Sequence, residues 1–212
     1  MIAGENEARR WLEALPECDA QAMARIERFV VLLKAENERQ NLVSAASVDA
    51  VWLRHIADSA QLLSHVPRGT GPWLDLGTGA GFPGLVVAML LPGVEILLVE
   101  SRARRAQWLE SARAALGLDN VSVIATRLER LETRKMAVIS ARAFAPLDNL
   151  LGLSARFSTS ETSWLLPKGR SAQQELDALK GWPHAFHVEQ SLTDPQAGII
   201  LGTLPGRKGK SA

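Results

Sequence analysis

The ten residues Asp75-Leu76-Gly77-Thr78-Gly79-Ala80-Gly81-Phe82-Pro83-Gly84 hold four glycines, at positions 77, 79, 81 and 84. They follow the short apolar run Trp73-Leu74-Asp75-Leu76 and lead into an apolar helical stretch over 84–91. Backbone without side chains lets a ligand approach closely. Four glycines within eight residues cost more chain entropy than a plain turn requires. Sixteen residues beyond Gly84, Glu100 ends the next apolar run. A carboxylate there can accept hydrogen bonds from both hydroxyls of a ribose. Bend and acid together describe an adenosine-containing ligand at the carboxyl ends of adjacent strands. Residues 79–84 also satisfy the G-x-G-x-x-G pattern, so a dinucleotide stands as an alternative. Asp75 argues for S-adenosylmethionine, because a carboxylate at that strand end repels a pyrophosphate and suits a cationic amino-acid group. No set of residues for hydride chemistry stands out.

Later in the chain, Arg142 and Lys168 fall at the ends of successive strand-like runs, 137–140 and 163–166. Either can grip the acceptors of a base edge or its phosphates. Two kinds of methylation apparatus are missing. Attack by cytosine C5 needs a cysteine nucleophile, and the one cysteine, Cys18, lies in the N-terminal helical region. Methylation of an exocyclic amine uses an Asn/Asp-Pro-Pro-aromatic loop, whereas the corresponding site reads Ser140-Ala141-Arg142-Ala143. An aprotic acceptor with an in-plane lone pair needs neither device, and catalysis at such an atom reduces to proximity and orientation without a general base.

The elements that must position these residues are legible from periodicity. The first 65 residues are helical in pattern. Asp19 can cap a helix with Met23, Ile26, Val30 and Leu33 on one side. Ser47 can cap another, carrying Val48, Trp52, Ile56, Ser59 and Leu63, with Asn41-Leu42-Val43-Ser44 as the loop between. The spacing of Arg54, His55 and Asp58 fits an intrahelical ion pair with a packed histidine as well as a substrate role. Pro67, Gly69, Gly71 and Pro72 make a linker. From Trp73 onward strands at 73–76, 94–99, 121–125, 137–140, 163–166, 185–188 and 198–204 alternate with helical runs. One of those runs, 104–116, ends at a C-capping Gly117. The alternation predicts βαβ units and a mainly parallel sheet covered on both faces. The expected division is a helical extension over 1–66, a core domain over 72–205 and a basic tail over 206–212.

The 212 residues can bury one sizeable core, with 47% apolar and 22% charged residues. The longest apolar run, 85–91, is far short of the ~20 residues that span a bilayer. Together with an N-terminus unlike a signal peptide, this predicts a cytoplasmic protein. A lone cysteine and scattered histidines predict no metal site. Net charge is only +1, yet 101–142 holds nine basic residues against four acidic ones. Such a stretch can serve as a phosphate footprint. Nothing requires a second copy, so a monomer is expected.

These residues resemble a known family. The 75–84 loop is similar to that of the bacterial 16S rRNA guanine-N7 methyltransferases (glucose-inhibited division protein B, or small subunit methyltransferase G). So are Asn41-Leu42-Val43-Ser44, Arg54-His55-Ile56-Ala57-Asp58-Ser59, Arg127-Leu128-Glu129, Ser140-Ala141-Arg142-Ala143 and Lys168-Gly169. The resemblance runs in order from about Asn37 to Gly169. It implies a class I S-adenosylmethionine-dependent fold, Rossmann-like with a seven-stranded mainly parallel sheet, behind an N-terminal helical extension. It also implies methylation of N7 on one guanine in the decoding-region loop of 16S rRNA, with the rRNA or the small ribosomal subunit as partner. The cofactor is then expected at Asp75, Gly77, Gly79, Gly81, Phe82, Glu100, Leu128, Glu129 and Arg142. Arg142 and Lys168 are expected to position the base, and Arg54, His55, Arg102, Arg104 and Arg105 to meet RNA. The last three stand where relatives often carry paired lysines, exchanging point charges for planar forks.

Overall fold

The computed structural model describes residues 1–205; the expected basic tail over 206–212 lies outside the described residues. Seven strands form one sheet in the order β3-β2-β1-β4-β5-β7-β6. They are β1 (Trp73–Leu76), β2 (Ile96–Glu100), β3 (Val121–Ala125), β4 (Val138–Ala141), β5 (Ser163–Gly169), β6 (His187–Gln190) and β7 (Gly198–Gly202). The first five are parallel, and β7 runs antiparallel between β5 and β6. The order reverses between β1 and β4, which is where ligands settle in open α/β sheets, beyond the carboxyl ends of the strands. The expected sheet is therefore present, with most strand ends shifted by one to three residues.

Strand alternation divides the core. Trp73, Ile96, Leu98 and Val138 point to the face covered by α2 (Ala20–Gln40), α5 (Gly84–Leu90) and α6 (Ala103–Leu116). Leu74, Leu76, Ile139 and Leu166 point to the other, under α7 (Leu147–Ser154). Much of the N-terminal region has no separate core: Leu12, Ile26, Phe29 and Leu33 join the same cluster as Trp73 and Leu85. Asp19 caps α2 as expected, accepting from the Ala22 N–H at 2.7 Å, and Gly117 ends α6 in the left-handed conformation.

The helix expected from a Ser47 cap is not continuous. Ser44 caps the short α3 (Ala45–Asp49), its hydroxyl accepting from Ser47 N–H at 3.3 Å. The chain then continues as a π-helix, Trp52–Ala57, running into α4 (Asp58–Ala60). Its opening N–H groups, on Trp52 and Leu53, donate to the Glu5 carboxylate at 3.0 and 2.8 Å. Glu5 belongs to α1 (Glu5–Glu13), so the cap comes from 47 residues away. The wider π turn is often found where side chains serve a site. Here it brings Arg54, His55 and Asp58 to one cavity.

Candidate functional site

The glycine bend leaves β1 with φ of +65° at Gly77 and +60° at Gly79, a region that side chains disfavour. A Cβ at Gly77 would lie 2.5 Å from the Phe144 ring, whereas one at Gly79 would meet nothing nearer than Arg105 Nη1 at 3.4 Å. Gly79 is buried, yet it leaves room beside its Cα that a side chain would fill. Gly81 does not face a ligand, because a Cβ there would run into Leu85 and Phe29 of the interior. From below, Trp108 Nε1 donates to Ala80 O at 3.0 Å, tying α6 to the bend.

Asp75 is not at the ligand surface either, a correction to its expected contact with the cofactor. Alternation puts it on the same face as Trp73, fully buried, with Gly84 N–H donating to Oδ2 at 3.1 Å and the Ser140 hydroxyl to Oδ1 at 2.7 Å. Trp73 Nε1 in turn donates to Ser140 Oγ at 2.8 Å. Burial pushes the Asp75 carboxyl up to about 6, against the pull of these hydrogen bonds. Its work is to hold the two ends of the glycine bend together. Glu100 ends β2 as expected. It takes Gly79 N–H at 3.1 Å and Arg102 N–H at 2.8 Å on separate oxygens, leaving each a further lone pair. Beyond β3, Leu128 is buried and Glu129 exposed.

Phe82 turns inward as well. Its ring, 2% exposed, packs against Phe29, stacks on His55 at 4.7 Å and 14°, and carries the Arg142 guanidinium 4.9 Å from its centre. It supports the groups above it and offers no open face to a cofactor. His55 is 7% exposed, and neither ring nitrogen has a partner. Burial, then the charges of Arg142 and Arg54, lowers its pKa to about 3, so it stays neutral. The packed histidine is present, but the intrahelical Arg54–Asp58 pair is not. Arg54 reaches Asp194 at 3.0 Å, and Asp58 faces Arg142 at 3.5 Å. Burial works to lower the Arg142 pKa, opposed by Asp58.

Lys168 does not project a free charge. Its ammonium donates to Ala145 O at 2.6 Å and pairs with Glu175 at 2.8 Å. Glu175 also accepts from Leu147 N–H and the Ser171 hydroxyl. Lys168 and Glu175 therefore brace residues 142–147, within which Ala143 has a positive φ of 51°. Beside this loop, beyond the ends of β4 and β5 and at the start of β7, lies a cavity of about 770 Å³. Arg54, His55, Asp58, Arg142, Phe144 and Lys168 are in its wall, together with Thr193 and Asp194 of the β6–β7 turn. Arg102 and Arg104 are exposed, while Arg105 is half-buried beside Gly79.

Phe144, Glu175, Thr193 and Asp194 escaped the sequence reading. An aromatic two residues after Arg142 was a usable signal. The others had none, since Leu147 for Glu175, Asp58 for Thr193 and Arg54 for Asp194 lie 28 to 140 residues away. The space beside Gly79 and the unused lone pairs of Glu100 fit a nucleoside-type cofactor.

The family described as rRNA small subunit methyltransferase G matches residues 22–194. A protein of that name from Erythrobacter litoralis is 59% identical over 95% of this chain and 97% of its own. Its counterpart from Novosphingobium aromaticivorans is 58% identical over 96% and 90%. Among solved structures, a SAM-dependent methyltransferase from Aquifex aeolicus aligns with a TM-score of 0.54 at 14% identity, over 69% of this chain and 89% of that one. A point mutant of MtNAS, crystallised in complex with S-adenosylmethionine, aligns at 0.55 and 19%, over 95% and 84%. These two bear on the fold.

Proposed function

This chain belongs to the rRNA small subunit methyltransferase G family, and on that premise we propose that it methylates N7 of a guanine in the decoding-region loop of 16S rRNA. It is an S-adenosylmethionine-dependent methyltransferase. Bound S-adenosylmethionine supplies an electrophilic methyl group. Gly77, Gly79, Glu100 and the Leu128-Glu129 turn would hold it, Glu100 through its unused lone pairs.

The observation that carries the reading is the cavity walled by Arg142, Lys168, Arg54 and the aromatic groups of His55 and Phe144, of which Phe144 lies against Gly77 and His55 against Phe82 of the glycine bend. It has room for a purine displaced from its stack, which aromatic and cationic groups hold well. N7 is aprotic, so the residues need only orient the base and exclude water. Arg142, held over Phe82 and beside Asp58, orients. The 142–147 loop, braced by Lys168 and Glu175, closes one side. Neutral His55 adds no further positive charge to a wall that already carries Arg54, Arg142 and Lys168. Outside the cavity, Arg102 and Arg104 would meet phosphates, a role their exposure supports.

The test is transfer of labelled methyl from S-adenosylmethionine to small ribosomal subunits that lack the modification, followed by strand scission at N7-methylguanine. A single break in the decoding-region loop is expected. Label in protein, or at another base atom, would overturn the proposal.

A further inference from the structure

Asp58 divides its carboxylate between two duties. Oδ1 is fixed by the Thr193 hydroxyl at 2.8 Å and Gln61 Nε2 at 2.9 Å. Gln61 is itself buried, bonded to Ser191 Oγ and Leu192 N–H. Oδ2 has only a long contact, 3.5 Å, with Arg142 Nη1, and the residue lines the cavity. An anchored acceptor and a guanidinium donor thus stand side by side on one wall. Neighbouring His55 is more than nine-tenths buried, with both nitrogens unpartnered among the described residues.

That pairing matches one base. Guanine presents N1–H, a donor, next to O6, an acceptor; adenine presents the reverse, an N1 acceptor beside an N6 donor. We infer that Asp58 determines base specificity, its Oδ2 accepting the N1–H of the target guanine while Arg142 donates to O6. The inference rests on guanine being the methylated base. The order of groups supports it independently. Asp58 is tied to the β6–β7 turn, Arg142 sits at the end of β4, and its guanidinium lies over Phe82 of the glycine bend. Around the purine rim the sequence is N1, O6, N7. A base held in this register turns N7 toward the glycine bend, where the methyl group must arrive. Adenine meets two mismatches, each leaving a desolvated polar group unpaired.

The experiment uses unmethylated small subunits carrying guanine at the target, and subunits carrying adenine there as competitors of the methylation. For the native enzyme the inhibition constant of the adenine subunits should exceed the guanine KM by about tenfold or more. Asp58→Asn can turn its amide to donate to adenine N1. It should bring the two constants within about threefold while lowering kcat/KM on guanine about 10- to 100-fold. Thr193→Val keeps the carboxylate but removes one of the two hydrogen bonds on Oδ1, and should narrow the ratio less, in the same direction; it carries the test should Asp58→Asn fail to fold. An Asp58→Asn enzyme that slows while keeping the native ratio would make Asp58 a structural residue and overturn the inference. So would native enzyme that methylates guanine yet binds both subunits alike. Native enzyme that leaves the guanine unmethylated would instead overturn the proposed function beneath it.

Discussion

At the scale of single residues, His55 and Gly79 lend themselves to direct tests. The unfolded chain protonates His55 near the ordinary value of 6.5, while the folded protein resists protonation down to about 3. Between those values the unfolded state holds more protons, so this residue makes stability fall as pH drops below about 6.5. His55→Phe keeps a flat ring on Phe82 and removes the titration. Its stability relative to native should improve by about 2 kcal/mol between pH 7 and pH 5, read from urea unfolding at each pH. Asp75 acts with the opposite sign: its folded pKa of about 6 exceeds the ordinary 3.8, so its contribution falls as pH rises through that window. Comparing variant with native cancels that background, and parallel stability curves would mean the imidazole is not shielded. Gly79→Val adds about 1–2 kcal/mol of left-handed strain, while its Cβ approaches only Arg105 Nη1 at 3.4 Å and Gly77 O at 3.6 Å. The protein should stay folded and lose about tenfold or more in affinity for S-adenosylhomocysteine by titration calorimetry. Surviving affinity would place the cofactor elsewhere. Arg142→Ala should cut methyl transfer by about 100-fold, through misplacement of the base, with a far smaller change in thermal unfolding.

At the scale of elements, the 142–147 loop is held from outside itself. Lys168 on β5 takes Ala145 O, and Glu175 on α8 (Ala172–Asp177) takes Leu147 N–H. Lys168→Met removes one tie and takes from Glu175 its cationic partner, which should cost about 1–3 kcal/mol in thermal unfolding. Methyl transfer should fall further than that loss of folded protein explains, while cofactor affinity changes little. Equal cofactor and transfer losses would mean that the loop belongs to the cofactor site. The π-helix depends likewise on a distant group, since its first N–H donors are satisfied by Glu5 of α1.

At the scale of the whole molecule, the basic surplus of 101–142 does not form one face. Arg102, Arg104 and Arg105 follow β2, at the carboxyl ends of the parallel strands, whereas Arg134 and Lys135 precede β4 at the opposite end. Arg134 is paired with Glu95, Arg113 with Glu110, and Lys135 donates to the carbonyls of Arg156 and Ser158. The first group lies on the side of the cavity, as do Arg127 and Arg130 after β3 and Arg142 after β4; Arg134 and Lys135 do not. RNA binding should therefore weaken linearly in log–log terms with salt, and Arg102→Gln with Arg104→Gln should reduce the slope by about two. The matching pair Arg134→Gln and Lys135→Gln should leave it unchanged, and a reduced slope there would move the RNA to the other end of the sheet.

The sheet, the glycine bend and the acid at the end of β2 were legible in the amino-acid sequence because each depends on local rules. These are alternation along a strand, the positive φ that glycine tolerates, and the punctuation of helix ends. The parts of the site that discriminate were not legible. Asp58 meets Arg142 and Thr193 across 84 and 135 residues, and Arg54 meets Asp194 across 140. A side chain's partner at such separation is set by how layers pack, and periodicity carries no record of it. For the same reason Asp75, Phe82 and Lys168 read as ligand contacts from their positions beside the bend and the strand ends. The packed core turned the first two inward, and the tie between β5, α8 and the loop claimed the third.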